Sequence, residues 1–228
     1  MTHKIRNPLI LAISKGRFLF LLISILLMFV LSPLFGNMME IRILIDIFFT
    51  AILISGVIVV GTKKHQTIIA ILLALPMFSS IWSAYLLHIP HLRLVGKIFG
   101  VFFVAYTIVI ILSFIIRERE VTRDVIYASI VVYLLIGLMW AFIYSSIEIL
   151  QPGSFKIVEG HINEGGLLFL YYSFVTLTTL GYGDMTPLTE VASSFSLLEA
   201  VIGQIYLTVL IAMLVGVYIS QTLAKGSR

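Results

Sequence analysis

Residues 178 to 184 read Thr-Thr-Leu-Gly-Tyr-Gly-Asp, a run whose chemistry lies in its backbone. A cation crosses an apolar barrier quickly only if its water shell is replaced at every step, and stacked carbonyl oxygens aimed at one axis can replace it. Successive carbonyls face one way only when the dihedrals alternate between right-handed and left-handed regions. Gly181 and Gly183 take positive φ without a Cβ clash, so the glycines serve geometry. Read alone, Gly-x-Gly is a tight turn. The flanks argue against that: Met185-Thr186-Pro187 continues the run, a short apolar segment precedes it and a long one follows.

With these flanks the segment resembles the selectivity filter of potassium channels, with Leu180 where the commonest version has valine. The resemblance covers about residues 125 to 222 and says little about residues 1 to 116. It implies that the Thr179 hydroxyl and the carbonyls of Thr179, Leu180, Gly181 and Tyr182, in a loop completed by Gly183, form stacked K+ sites. It also implies a Tyr182 ring turned away from the ion and packed behind the filter. Tyr172 and Asp184 are then its hydrogen-bonding supports, with Thr178 at the foot of the preceding half-helix; plain helix packing is the other reading of Tyr172. Four filter segments surround one ion, and the chain carries a single Thr-x-Gly-Tyr-Gly run, so the simplest assembly is a homotetramer.

Composition places this run in a membrane. Hydrophobic residues make up 60% of the 228 and charged ones 11%, far from the balance of a water-soluble domain. With no cysteine there is no disulfide framework and no thiolate metal site. Six apolar runs, about 18 to 34, 43 to 60, 67 to 87, 98 to 116, 125 to 148 and 187 to 222, are read as membrane-crossing helices. Residues 166 to 178 are too few to span and read as a re-entrant half-helix, which protein must surround. The expected fold class is therefore an all-α membrane protein with six transmembrane helices, a re-entrant pore helix and a filter loop. Lys4, Arg6, Lys15 and Arg17 before the first run also suit a signal peptide, but that run is long and lacks a small-x-small cleavage site. Lys and Arg favour the cytoplasmic side. With both termini inside, only Arg42, Arg93, Lys97 and Lys156 of the 15 fall outside, and the filter lies toward the outer face of the cell membrane. Trp82 and Tyr85, and Trp140 and Tyr144, then sit near the outer ends of the third and fifth spans, as interfacial rings or as core.

Residues 1 to 116 read as a four-helix module, 117 to 124 as a charged cytoplasmic linker and 125 to 228 as a pore module. Asn163 is placed to cap the half-helix, whose carbonyl end puts negative partial charge below the filter. The last helix is expected to begin with Thr186 as cap and Pro187 at its first position. From there to residue 222 is about 50 Å at ~1.5 Å per residue, more than the hydrocarbon core, so the helix should tilt. Gly203 stands where a gating hinge occurs in similar channels and equally suits close helix contact; Gly216 suits packing. Glu199, deep in the last span, has two placements. On the cavity face it is ionised and concentrates cations; turned toward the half-helix it is buried, hydrogen-bonded and neutral. The second is preferred, because similar channels pack this part of the inner helix behind the filter.

The first module resembles a voltage sensor only weakly. A charged fourth helix carries a cation at every third position, whereas this span offers Arg93 and Lys97 at its outer end and nothing more until Arg117. Asp46 can pair with Arg42, or with Arg93 and Lys97, or remain solvated. His88 and His91 flank Pro90 with no carboxylate or cysteine nearby, which suits loop histidines rather than a metal pair. The basic N-terminus suits anionic lipid headgroups rather than nucleic acid. No nucleophile with a paired base appears and few residues follow the last helix, so neither enzymatic activity, an organic cofactor nor a cytoplasmic ligand-binding domain is expected. The reading is a potassium channel of the bacterial six-span type, weakly sensitive to voltage. Its rivals are a less selective cation channel, suggested by Leu180, and a non-conducting regulatory or scaffold subunit with a pore fold. No residue pattern specifies the opening stimulus.

Overall fold

Apolar runs become helices because only a helix satisfies its own backbone polar groups without water. The computed structural model describes residues 8–31, 39–61, 63–83, 90–118, 120–157 and 167–226. In order these form α1 (Pro8–Leu31), α2 (Met39–Val60), α3 (Lys64–Ser83), α4 (Pro90–Arg117), α5 (Arg123–Leu150), β1 (Phe155–Ile157), α6 (Leu168–Leu177), β2 (Met185–Pro187) and α7 (Glu190–Gly226). Proline opens α1 and α4, where its missing N–H leaves no hydrogen bond unmade. Thr122 caps α5, its side chain accepting from the Val125 N–H at 3.3 Å.

Stretches of α3, α4, α5 and α7 are long and apolar enough to cross a membrane, and α1 and α2 carry shorter apolar stretches over Gly16–Val30 and Asp46–Val60. α5 is the central element, packed on α4, α1, α6 and α7. Close helix approach is made by small residues. Gly56 lies against the Phe103 ring, and Gly100 against Met77 and Phe142. Hydroxyls within the apolar layer return to their own helix: Ser24 donates to the Phe20 carbonyl at 2.9 Å, Thr107 to Phe103 at 2.9 Å and Ser129 to Val125 at 2.8 Å.

The chain is helical but for two short strands: β1 and β2 pair antiparallel, with Phe155 opposite Pro187 and Ile157 opposite Met185, which corrects one expectation. Pro187 therefore ends a strand instead of starting the last helix. The Leu188 N–H donates to the Ser154 carbonyl at 2.8 Å, and α7 begins at Glu190 with the Thr189 hydroxyl accepting from Ala192. Of the two readings left open for Trp140 and Tyr144, the structure selects core. Tyr144 is fully buried, and Trp140 stacks on it at 5.8 Å. Trp82 is half-buried with its indole N–H 3.4 Å from the Thr50 hydroxyl. Tyr85, His88 and Asn163, and the side chains of Arg42 and His91, lie outside the described residues.

Candidate functional site

α6 is a ten-residue helix whose C-terminus runs straight into the Thr-Leu-Gly-Tyr-Gly segment. It starts at Leu168, and Leu167 at the cap position makes no side-chain capping bond. Its other end is closed by the loop that follows. The Thr179 N–H donates to Thr176 at 2.9 Å and the Leu180 N–H to Val175 at 2.9 Å, the paired bonds that end a helix when the residue after the cap is left-handed. That residue is Thr179, at φ +59. Glycine normally fills it, and a β-branched residue there is disfavoured by roughly 1–2 kcal/mol. No residue type marks this position, because the glycines of the run lie two and four positions further on.

Beyond Thr179 the sign of φ alternates. Gly181 and Gly183 are at +61 and +79, while Leu180 and Tyr182 between them are not positive. The Leu180 and Gly181 N–H groups both point back to the Val175 carbonyl, at 2.9 and 3.2 Å, so across the trans peptide the Thr179 and Leu180 carbonyls face the other way. Residues 178–183 are exposed in the single chain. Thr178 sits at the C-cap of α6, its hydroxyl donating to the Phe174 carbonyl at 2.6 Å.

The supports differ from those expected. Asp184 is held by Tyr171, whose hydroxyl donates to Oδ2, while Oδ1 accepts from the Met185 N–H at 3.0 Å. Tyr172 points the other way: its hydroxyl meets the Ser196 Oγ at 2.6 Å, and its ring packs edge-on to Tyr144 and Phe155. Neighbours on a helix point about 100° apart, so one of the two tyrosines reaches the filter loop and the other reaches α5 and α7. Phe155 of β1 completes this aromatic cluster with Phe169.

Glu199 of α7 is fully buried behind α6. Its Oε2 lies within hydrogen-bond distance of the Tyr144 hydroxyl from α5, and its Oε1 of Ser173 Oγ from α6. Ser173 Oγ also lies 2.7 Å from the Gly137 carbonyl. A single hydroxyl hydrogen cannot serve two acceptors at full strength, so a protonated Glu199 carboxyl, donating to Ser173, satisfies every contact. Three helices are thus tied at one point. Four residues on, a Cβ at Gly203 would lie 2.7 Å from both the Leu177 carbonyl oxygen and its Cδ1, so glycine is what lets α7 touch the end of α6. Gly216 meets nothing within the chain. Ser173 and Ser196 are not singled out by the sequence reading, and Tyr144 only as a ring; polar residues inside apolar runs are the signal that could have found them.

Arg93 is exposed near the start of α4, and Asp46 of α2 acts electrostatically on Lys97. Among the described residues no group of three His, Cys, Asp or Glu is placed to hold a metal ion.

Residues 125–220 match a family model described as ion channel. The match runs from α5 into α7 and contains residues 178–184. No curated protein and no solved structure matches the chain significantly. The likeness supports ion-channel activity for this segment, and the apolar helices fit a membrane protein.

Proposed function

We propose that four copies of this chain form a potassium-selective channel in the cell membrane, with six spans per subunit, both termini cytoplasmic, and K+ moving passively down its gradient. The observation that carries this is the alternation of φ along Thr179, Gly181 and Gly183. It turns successive carbonyls to one side, and four such loops around an axis supply the oxygen cage that replaces water around the ion. The Thr179 hydroxyl and the carbonyls of residues 179–182 form the sites, and Gly183 turns the chain out toward Asp184.

Assembly is supported by what the single chain leaves bare. Only 6% of the apolar window of α7 is buried, against 67% for α5, and Leu180, Leu197, Ile205 and Val209 are exposed. A filter and inner helix exposed in this way are what neighbouring subunits around a pore cover. The α4 charges give no basis for steep voltage sensing, since Arg93 is the only one of the two on an exposed face.

The test is the reversal potential of the purified protein in planar bilayers under opposed K+ and Na+ gradients. A value near the K+ equilibrium potential is expected. A value midway between the two would replace this reading with a less selective cation channel, as Leu180 allows. Absence of flux from correctly assembled tetramers would replace it with a non-conducting subunit.

A further inference from the structure

At the end of the four-helix module opposite the filter, α1, α2, α4 and the start of α3 enclose an open-sided cavity of about 310 Å³. Its walls include Arg17, Phe18, Ile110 and Phe114, and its rim carries Lys63 and Arg117. The arrangement is basic at the mouth and apolar in depth. Lys63 and Arg117 are exposed, so their charges reach the opening. Arg17 is fixed in the wall: its guanidinium lies 4.8 Å from the Phe18 ring centre and 5.5 Å from that of Phe114, and one terminal nitrogen reaches the Val59 carbonyl at 3.4 Å. Its Nε is buried with no hydrogen-bond partner among the described residues. A guanidinium packed against two aromatic rings, with N–H groups to spare beyond the single Val59 bond, can contact an anion. Two carboxylates oppose it. Glu118 stands on the rim and Asp124 acts on Arg17, so the three cations are only partly offset.

We propose that this cavity binds a phosphate-bearing anion, with Arg17, Lys63 and Arg117 around the phosphate. Two sources share that chemistry, an anionic phospholipid headgroup and free phosphate. The apolar walls favour the lipid, whose acyl chains they can accept while the head stays among the cations at the interface. The site lies on helices continuous with the pore, since α4 and α1 both pack on α5. The proposal rests on reading α1–α4 as a membrane module with this end cytoplasmic, and not on conduction, so a binding measurement tests it independently of whether the channel is selective or conducts.

The full chain in neutral detergent is melted at constant ionic strength with dihexanoyl phosphatidic acid, dihexanoyl phosphatidylcholine or sodium phosphate. A saturable rise in Tm with phosphatidic acid and none with phosphatidylcholine is expected. Lys63→Gln/Arg117→Gln, which alters only exposed side chains, should raise the half-saturating concentration by about fivefold for each cation removed. Arg17→Gln should act in the same direction, and Glu118→Gln in the opposite one, which a merely structural role for these residues does not predict. Lys156→Gln, in β1 at the other end of the chain's span, should leave the response unchanged. An equal saturable response to sodium phosphate would support the site with free phosphate as its ligand. An equal response to phosphatidylcholine, or one indifferent to the Lys63, Arg117 and Glu118 changes, would overturn the proposal.

Discussion

Replacing Glu199 by Gln separates a buried structural carboxyl from a charge in the conduction path. In the structure the side chain has Tyr144 on one oxygen and Ser173 on the other, with Ser173 also bound to the Gly137 carbonyl. A glutamine can keep all three links. Its carbonyl accepts from Tyr144, its amide donates to Ser173, and Ser173 donates to Gly137, so the expected loss is below about 1 kcal/mol per subunit. Glu199→Leu has nearly the same volume but no polar atom. Ser173 retains Gly137 and Tyr144 retains the Phe195 carbonyl at 3.4 Å and the Ser196 hydroxyl, but each loses its carboxyl partner, at about 1 kcal/mol per hydrogen bond. The assay is twofold: heat dissociation of the purified tetramer, and single-channel recording with internal Mg2+ or spermine. Gln should leave conductance and internal block nearly unchanged, with any effect confined to open probability. Leu should lower the dissociation temperature and alter open probability. A large fall in conductance with loss of internal block in the Gln variant would mean an ionised carboxylate facing the cavity, and the proton count above would be wrong.

Gly181→Ala adds a Cβ at φ +61 that meets nothing within the chain, so the damage is backbone strain of roughly 1 kcal/mol per subunit; flux or selectivity should be lost, and a variant that still assembles and conducts K+ selectively would remove this segment from the pore. Gly203→Ala places a methyl 2.7 Å from the Leu177 carbonyl oxygen; overpacking of this kind costs about 1–3 kcal/mol, and a normal melting temperature with normal gating would show that α7 does not seat there. Tyr171→Phe removes the hydroxyl held by Asp184 and should shorten conducting bursts without changing assembly, whereas Tyr172→Phe should spare burst length; the reverse ranking would return the filter support to Tyr172. Voltage dependence should be shallow, because each charge crossing the whole field contributes only about 2.3 kcal/mol per 100 mV, and a steep conductance curve abolished by neutralising Arg93 and Lys97 would overturn that expectation.

The apolar helices and the positive-φ glycines were legible in the residues themselves. Apolar runs in a solvent without hydrogen-bonding partners have one stable local structure, so the helices around α3, α4, α5 and α7 follow from length and composition. Gly181 and Gly183 mark positive φ because no other residue adopts it without strain, and the structure has them there. What the sequence could not supply were matters decided by contact. Thr179 is left-handed because it closes α6 through bonds to Thr176 and Val175, and no residue preference predicts that. Pro187 suits a helix start as well as a strand end, and pairing with Phe155 selected the strand. Tyr171 and Tyr172 are chemically identical, so only the direction each takes around α6 assigns one to Asp184 and the other to Ser196. Glu199 finds Tyr144 and Ser173 only after α5, α6 and α7 have packed, since these partners stand 55 and 26 residues away along the chain. Local propensity acts over a few residues; a buried polar group is satisfied by whatever the fold brings to it.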